Sequence, residues 1–413
     1  MMAPLTEQDR VVIIGAGHAG GRAAERLRAH GFAGGITLVG KEDVAPYERP
    51  PLSKSVLLRS GSEADTYLQD LAWYAGNRVT LRLGQLVTRI DRDARKVFLL
   101  DGETLPYSRL IIATGGRLRD LPVPGADLDN VLSLKTMADA VALRARLDTA
   151  RRLVVIGGGF IGLEVAASAR ALGCEVTVVE ATERLMGRAV PKEIGARVAA
   201  VHEARGTTVM LGCGVQALIG ETAVNTVVLA DGQRLAADLV VVGIGIAPET
   251  GLAEQAGLET AQGILVDDQC RTSDPGIFAI GDVACHRARA ARPVESWQNA
   301  EQQATRVAAA LMGCPAPELE PPWFWSDQGD LNLQIAGTPV HWDGAMSRGR
   351  MAEGSLLLIQ MDGQQVTGTI GLNAKKDMLL MRKLLKAGCP VDADSLTDPE
   401  QPLKKTVMAA LRA

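Results

Sequence analysis

The chain has 413 residues, 47% of them hydrophobic and 22% charged, a composition that excludes a disordered or membrane-embedded protein and a length that suggests two or three domains. Forty-four Lys and Arg against 48 Asp and Glu give a formal charge of −4, so no global positive excess argues for nucleic acid or an anionic membrane surface. The start carries no basic segment followed by a long apolar run. Runs such as Leu239 to Val242 are strand-sized, well short of the roughly 20 residues of a membrane helix, and a cytoplasmic protein is expected.

In chain order, Val11 to Ile14 is a β-branched run that ends in Gly15, Ala19 to His30 has helical spacing, and Ile36 to Val39 is a second strand. This βαβ unit implies a parallel sheet. The proline-rich stretch Val44 to Lys54 predicts no regular structure, Val79 to Leu100 predicts alternating strands before an Asp101-Gly102 turn, and Leu110 to Thr114 a buried strand. A helix over Ala138 to Leu147 precedes a second unit: strand Leu153 to Ile156, helix Ile161 to Leu172, strand Glu175 to Glu180. Val227 to Leu229, Asp231-Gly232 and Leu239 to Val242 then repeat the pattern of 97 to 115, a duplication at domain scale. From Pro321 the composition shifts, with Trp323, Phe324 and Trp325 adjacent in a chain only 3% aromatic. Strands at Leu331 to Ile335, Ser355 to Met361 and Val366 to Ile370, then helices at Lys376 to Lys386 and Pro402 to Leu411, make a third unit.

Each βαβ unit carries a glycine fingerprint. Gly15-Ala16-Gly17-His18-Ala19-Gly20 lies between strand and helix, where glycines permit the tight turn and backbone approach to a pyrophosphate held by free N–H groups and the helix dipole. The ribose-binding acid that should end the next strand falls on Lys41, with Glu42 beside it. Either Glu42 takes the ribose hydroxyls or the ribose is held in another way. The second fingerprint, Gly157-Gly158-Gly159-Phe160-Ile161-Gly162, is followed by a strand ending on Glu180. A carboxylate there accepts from ribose hydroxyls and repels a 2′-phosphate, which favours NADH over NADPH. Arg184 and Arg188 follow, placed to bind pyrophosphate or to rescue NADPH. In Phe278 to Ala284 a buried strand delivers Gly281-Asp282 into a turn predicted to open a helix.

Cys174, Cys213, Cys270, Cys285, Cys314 and Cys389 are scattered, with no C-x-x-C or zinc spacing and no cysteine before Gly116. Buried, reduced thiols are expected, rather than a metal site or a close dithiol.

The order of these elements, together with Tyr47-Glu48-Arg49-Pro50-Pro51-Leu52-Ser53-Lys54, Ala113-Thr114-Gly115, Gly243-Ile244-Gly245, Thr272 to Ala284 and Trp325-Ser326-Asp327-Gln328, resembles the FAD-dependent NADH:ferredoxin reductases of bacterial oxygenase systems over essentially the whole chain. The resemblance implies an α/β fold of two Rossmann-like dinucleotide-binding domains in a glutathione-reductase-like arrangement, with a C-terminal α+β domain. It places an FAD domain at 1–115 and 248–322, an NAD domain at 116–247 and the third domain at 323–413. It implies FAD contacts from the first fingerprint, Lys41 or Glu42, Arg49, Pro50, Ala113, Thr114, Gly115, Gly281, Asp282 and Trp297. Val87 and Lys135 match adenine- and phosphate-side contacts. NADH contacts are implied for Gly157, Gly159, Phe160, Ile161, Gly162, Glu180, Arg188 and Gly245.

Lys54 is expected beside the flavin, where a cation favours the anionic reduced ring. Glu164 is expected either to face the nicotinamide site, paired with Lys54, or merely to complement a helix dipole. Trp325 is either a flavin- and partner-facing aromatic or core, as is Trp323. The basic run from His286 to Arg292 is either a solvated loop or, with Arg382, Lys383 and Lys386, a collar for an acidic ferredoxin. The implied activity is hydride uptake by FAD from NADH and single-electron delivery to a [2Fe-2S] ferredoxin, or rubredoxin, serving a cytochrome P450 or Rieske oxygenase. The rival activities are those of a flavoprotein like apoptosis-inducing factor, with a signalling role, and of an NADH oxidase.

Overall fold

The computed structural model describes residues 3–288, 293–339, 341–350 and 354–412. The chain divides into two compact units, one of Met1–Arg49, Glu63–Leu118 and Ile246–Leu319, the other of Pro50–Ser62, Arg119–Gly245 and Glu320–Ala413. The segment Pro50–Ser62 therefore packs in the second unit, although it lies inside the stretch expected to bind FAD.

In the first unit a parallel sheet runs in the order Ile277–Ala279, Arg109–Ile112, Arg10–Ile14, Gly35–Val39, Val79–Arg82. Its strands are short continuous runs of Val, Ile and Leu because both faces are covered. Val11, Ile13 and Ile111 face one cluster with the alanine-rich helices His18–Ala29 and Trp297–Leu311. Val12, Leu110 and Ile112 face another with the antiparallel strands Val87–Asp91, Lys96–Leu99 and Thr104–Pro106 and their surroundings. The expected alternation over Val79 to Leu100 is corrected at its start: Val79–Arg82 pairs in parallel with Gly35–Val39 and completes the main sheet.

The second unit repeats this plan. Its parallel sheet orders Thr207–Leu211, Glu175–Glu180, Arg152–Ile156, Leu239–Val242 and Val131–Leu132, and the strands Val215–Ile219, Thr226–Leu229 and Arg234–Ala236 form a small antiparallel sheet. The α/β class with two Rossmann-like halves is thus observed. The C-terminal part of the unit, from Glu320, contains an antiparallel five-stranded sheet in the order Trp323–Gln328, Leu331–Gly337, Gln365–Leu372, Ser355–Asp362, Met346–Arg350. The helix Lys375–Ala387 lays Met378, Met381 and Leu384 on it, against Leu357 and Ile359.

Two further expectations are corrected. The aromatic run at Trp323 is itself an edge strand, and Met346–Arg350 and the short helix Ala393–Thr397 join the domain unannounced. The Asp282 turn does not open a helix: Gly281–Val283 is one 3-10 turn, and Ala284–His286 continues as a strand parallel to Ile264–Val266. Ala284 and Cys285 are buried there, and burial in a sheet outweighs a single capping aspartate. Among the described residues no helix is long and apolar enough to cross a membrane.

Ile111 is fully buried on the strand Arg109–Ile112, between Arg10–Ile14 and Ile277–Ala279. Ile111→Ala should destabilise the protein by about 2–5 kcal/mol, the cost of lost apolar contact plus a cavity, and a denaturant titration followed by circular dichroism measures it.

Candidate functional site

The first loop is built by steric necessity. Gly15 has φ +109°, and a Cβ there would lie 2.2 Å from the Ala113 carbonyl oxygen; one on Gly20 would lie 1.9 Å from the Gly15 carbonyl oxygen. Those two glycines let helix and strand close on each other. Gly17 differs, because a Cβ on it would meet only Arg49 Nη2, at 3.6 Å. It is the N-cap of the 12-residue helix His18–Ala29 and supplies no side-chain cap, so the loop opens at the positive end of a helix dipole.

Glu42, not the exposed Lys41, is built into this unit. Glu42 Oε2 accepts from the buried Tyr47 hydroxyl at 2.6 Å and Oε1 from Arg49 Nη2 at 2.9 Å. Beside them, Thr114 Oγ1 donates to the Glu249 carbonyl at 2.9 Å. Gly115 and Gly281 take φ +67° and +75°, and the Gly281 N–H donates to Gln303 Oε1 at 2.7 Å. Trp297 opens the helix Trp297–Leu311 under a Ser296 cap, with its ring 5.3 Å from that of His18. His18 Nε2 pairs with Glu301 at 3.0 Å, and Glu301 also forms an ion pair with Arg22 Nε at 2.5 Å. Asp282 is half-buried on its 3-10 turn.

The second loop has the same construction. Gly157, at φ +108°, would place a Cβ 2.5 Å from the Gly243 carbonyl oxygen, and Gly162 one 2.3 Å from that of Gly157. Gly159 opens outward as N-cap of Phe160–Ala171, where a Cβ would find only the Gly243 oxygen, at 3.9 Å. The acid at the end of the next strand is tied to the loop: Glu180 Oε2 accepts from the Gly158 N–H at 2.7 Å, and Oε1 from the Thr182 N–H and Oγ1, both at 2.8 Å. Ile161 is 46% exposed on the helix, whereas Phe160 packs its ring 4.5 Å from Phe324. Arg188 Nη2 reaches within 3.0 Å of where a Gly245 Cβ would stand. Arg184 and Arg188 share a cavity of about 880 Å³ with Trp342 and Leu358.

The second unit also assembles a charge pair whose acid is buried. Lys54 Nζ donates to Glu164 Oε2 at 2.6 Å, and Glu164 is only 3% exposed. Ser53 Oγ donates to the same oxygen at 2.5 Å, and Ser326 Oγ to Oε1 at 2.7 Å. Glu164 lies beyond the first turn of its helix, so the pairing with Lys54, rather than the helix dipole, accounts for it. Every contact uses the carboxylate as acceptor, as a buried anion requires. Ser53 and Ser326, quoted above only as motif members, were missed as its partners.

The family described as "Pyridine nucleotide-disulphide oxidoreductase" matches residues 9–304, and "Reductase C-terminal" matches 323–407. The chain is 42% identical over 402 residues (96% of this chain, 98% of the relative) to the anthranilate 1,2-dioxygenase system ferredoxin–NAD(+) reductase component of Burkholderia cepacia. It is 40% identical to rhodocoxin reductase of Rhodococcus erythropolis, covering 96% of this chain and 94% of that one. The chain belongs to the ferredoxin–NAD(+) reductase family. The solved complex of putidaredoxin reductase with putidaredoxin superposes with a TM-score of 0.95 at 36% identity, covering 99% of this chain and 100% of that one. Enzymes of this family use FAD and NADH, and the reductase has two outward-opening, uncapped glycine loops that suit two dinucleotides.

Val87 is 4% exposed, its side chain absorbed by the core. Lys135 is half-buried just before a capping box, and its N–H donates to Asp139. Trp323 and Trp325 stack at 4.9 Å, with Arg382 over Trp323 at 4.1 Å. Lys386 pairs with Glu320, Arg287 with Glu259 and His286 with Asp268. Arg289 and Arg292 of the basic run lie outside the described residues.

All six cysteines are free, and burial pushes the Cys270 thiol up to about 12, whereas Cys314 is exposed. At pH 8 the Cys270 sulfur is therefore the unreactive thiol. Iodoacetamide should label Cys314 and spare Cys270 in the native reductase, as peptide mass spectrometry would show.

Proposed function

We propose that this reductase oxidises NADH through FAD and passes the electrons singly to a [2Fe-2S] ferredoxin that serves a cytochrome P450 or Rieske oxygenase. The observation that carries the reading is the match at 42% identity to a dioxygenase-system ferredoxin–NAD(+) reductase component, which spans both nucleotide loops and the C-terminal domain. We assign FAD to the loop at Gly15, with Glu42 for its ribose and Asp282 for its ribityl chain, and NADH to the loop at Gly157, with Glu180 for its ribose. The boundaries 1–115 with 248–322, 116–247 and 323–413 are proposed for the FAD, NAD and C-terminal domains. Bound FAD supplies the two-electron to one-electron conversion, which needs no side-chain acid or base. The protein supplies position and charge. The N-termini of His18–Ala29 and Phe160–Ala171 would hold the pyrophosphates, and the tethered Glu180 carboxylate would accept from ribose hydroxyls and repel a 2′-phosphate. Lys54, fixed by Glu164, is assigned the role of a cation that would favour the anionic reduced flavin.

Stopped-flow reduction by NADH and by NADPH, followed by cytochrome c reduction with and without added [2Fe-2S] ferredoxins, tests the reading. NADH should be strongly preferred, and a cognate ferredoxin should raise the rate well above background. Preference for NADPH, or indifference to every ferredoxin, contradicts the proposal, and very slow NADH turnover would favour the signalling alternative.

Two substitutions separate the loops. Glu180→Ala should weaken NADH by about 1.5–3 kcal/mol, the value of hydrogen bonds to a charged group, with flavin content unchanged. Gly17→Ala meets no protein atom closer than 3.6 Å, so it should leave the fold intact by circular dichroism while the purified protein loses its flavin absorbance.

A further inference from the structure

Glu164 is one end of a longer buried chain within the second unit. Ser326 Oγ, which donates to Glu164 Oε1 at 2.7 Å, lies 3.3 Å from Gln328 Nε2, and Gln328 Oε1 lies 2.8 Å from His202 Nε2. Ser326, Gln328 and His202 are each no more than 1% exposed. His202 comes from the helix Lys192–Ala204, Gln328 and Ser326 from the strand Trp323–Gln328 and Glu164 from the helix Phe160–Ala171.

The direction of this chain follows from its ends. An ionised carboxylate only accepts, so Ser326 must donate to Glu164 and receive from Gln328. The Gln328 amide nitrogen then also faces Met186 Sδ, at 4.0 Å, a second acceptor that suits the same orientation. Its oxygen is left facing His202, which must carry the hydrogen on Nε2. With the amide turned over, the Gln328 oxygen would draw the Ser326 hydrogen away, and Glu164 Oε1 would lose its donor.

We propose that His202 is a positioning residue: by donating from Nε2 to Gln328 it fixes a one-way run of hydrogen bonds through Ser326 that holds the Glu164 carboxylate in place for Lys54. The proposal rests on the reading above, in which Lys54 and Glu164 serve the flavin. Burial first, and then the positive charge of Arg205, hold the His202 imidazole below the ordinary histidine range, against the bond to Gln328. Arg205 itself donates to the Gln328 carbonyl at 2.8 Å and pairs with Asp330, and Lys54 is the charged partner at the far end. The contact with Gln328 requires a hydrogen on Nε2, and burial favours the neutral Nε2–H tautomer over the imidazolium.

Two measurements test this. Imidazole NMR of the FAD-loaded reductase carrying 15N-histidine resolves five histidines, with His202 identified by its loss in His202→Gln. A neutral Nε2–H tautomer at pH 7 is expected; a neutral Nδ1–H tautomer, which has no hydrogen to give Gln328, overturns the proposal. Flavin reduction by NADH is then followed by stopped flow in His202→Leu, which has no donor, and in His202→Gln, which keeps one at similar reach. The limiting rate should fall about tenfold in His202→Leu, the size of one lost hydrogen bond to a charged group, at unchanged half-saturating NADH. It should recover to within about threefold of wild type in His202→Gln. Equal rates in wild type and His202→Leu, or no recovery in His202→Gln, overturn the proposal. Should His202→Leu not fold, the tautomer and His202→Gln decide it. A wild-type protein that NADH does not reduce would instead defeat the functional reading, and the tautomer would still decide the direction of the chain.

Discussion

A carboxylate buried to 3% exposure must be given donors, and the way Glu164 obtains them organises the second unit. Leaving an ionised group unpaired in a low-dielectric interior costs several kcal/mol, so the fold must bring partners to it. They come from two distant places: Ser53 and Lys54 on one oxygen, Ser326 on the other. The Ser168 hydroxyl, one turn along the same helix, donates to the Ser53 carbonyl at 2.7 Å. These bonds explain why Pro50–Ser62 packs with the second unit while its neighbours in sequence, Arg49 and Glu63, belong to the first. The same demand ties the edge strand of the C-terminal sheet to a helix of the second nucleotide-binding fold.

Around this constraint the chain uses one device twice. In each loop the outer glycines are required by the protein, because a Cβ would strike a carbonyl oxygen, whereas the middle glycine faces little but open space. That asymmetry distinguishes a loop built for a ligand from a tight turn built for itself. The acids that follow are secured in different ways. Glu180 is bonded to its own loop through Gly158 and Thr182, and Glu42 is gripped by Tyr47 and Arg49. Under the proposed assignment of Glu42 to the FAD ribose, the acid would be displaced by one position from Lys41 and held by the segment that follows.

The parallel strands at Val11 to Ile14 and Leu153 to Ile156 were legible because each is a short β-branched run ending in glycine, a pattern written within five residues, whereas Val131–Leu132 and Thr207–Leu211 lack so clear a signal. The Asp282 turn was misread because Gly-Asp signals a helix start locally, while the burial of Ala284 and Cys285 beside Ile264–Val266 is a long-range fact. The strand at Trp323 was hidden for a similar reason. Three aromatics in a row lack an alternating pattern, and their pairing with Leu331–Gly337 makes them a strand.

By itself the sequence determined the two glycine-rich loops, since a positive φ and the exclusion of a Cβ are properties of a few consecutive residues. It also determined the family, through motifs spread over the whole chain. Only the tertiary structure decided which groups meet Glu164. Lys54 and Ser326 stand 110 and 162 residues away from it, and His202 reaches it only through Gln328, 126 residues further along the chain. Hydrogen bonds act over about 3 Å of space whatever the separation along the chain, so no local pattern around His202 or Ser326 encodes the partner that packing supplies.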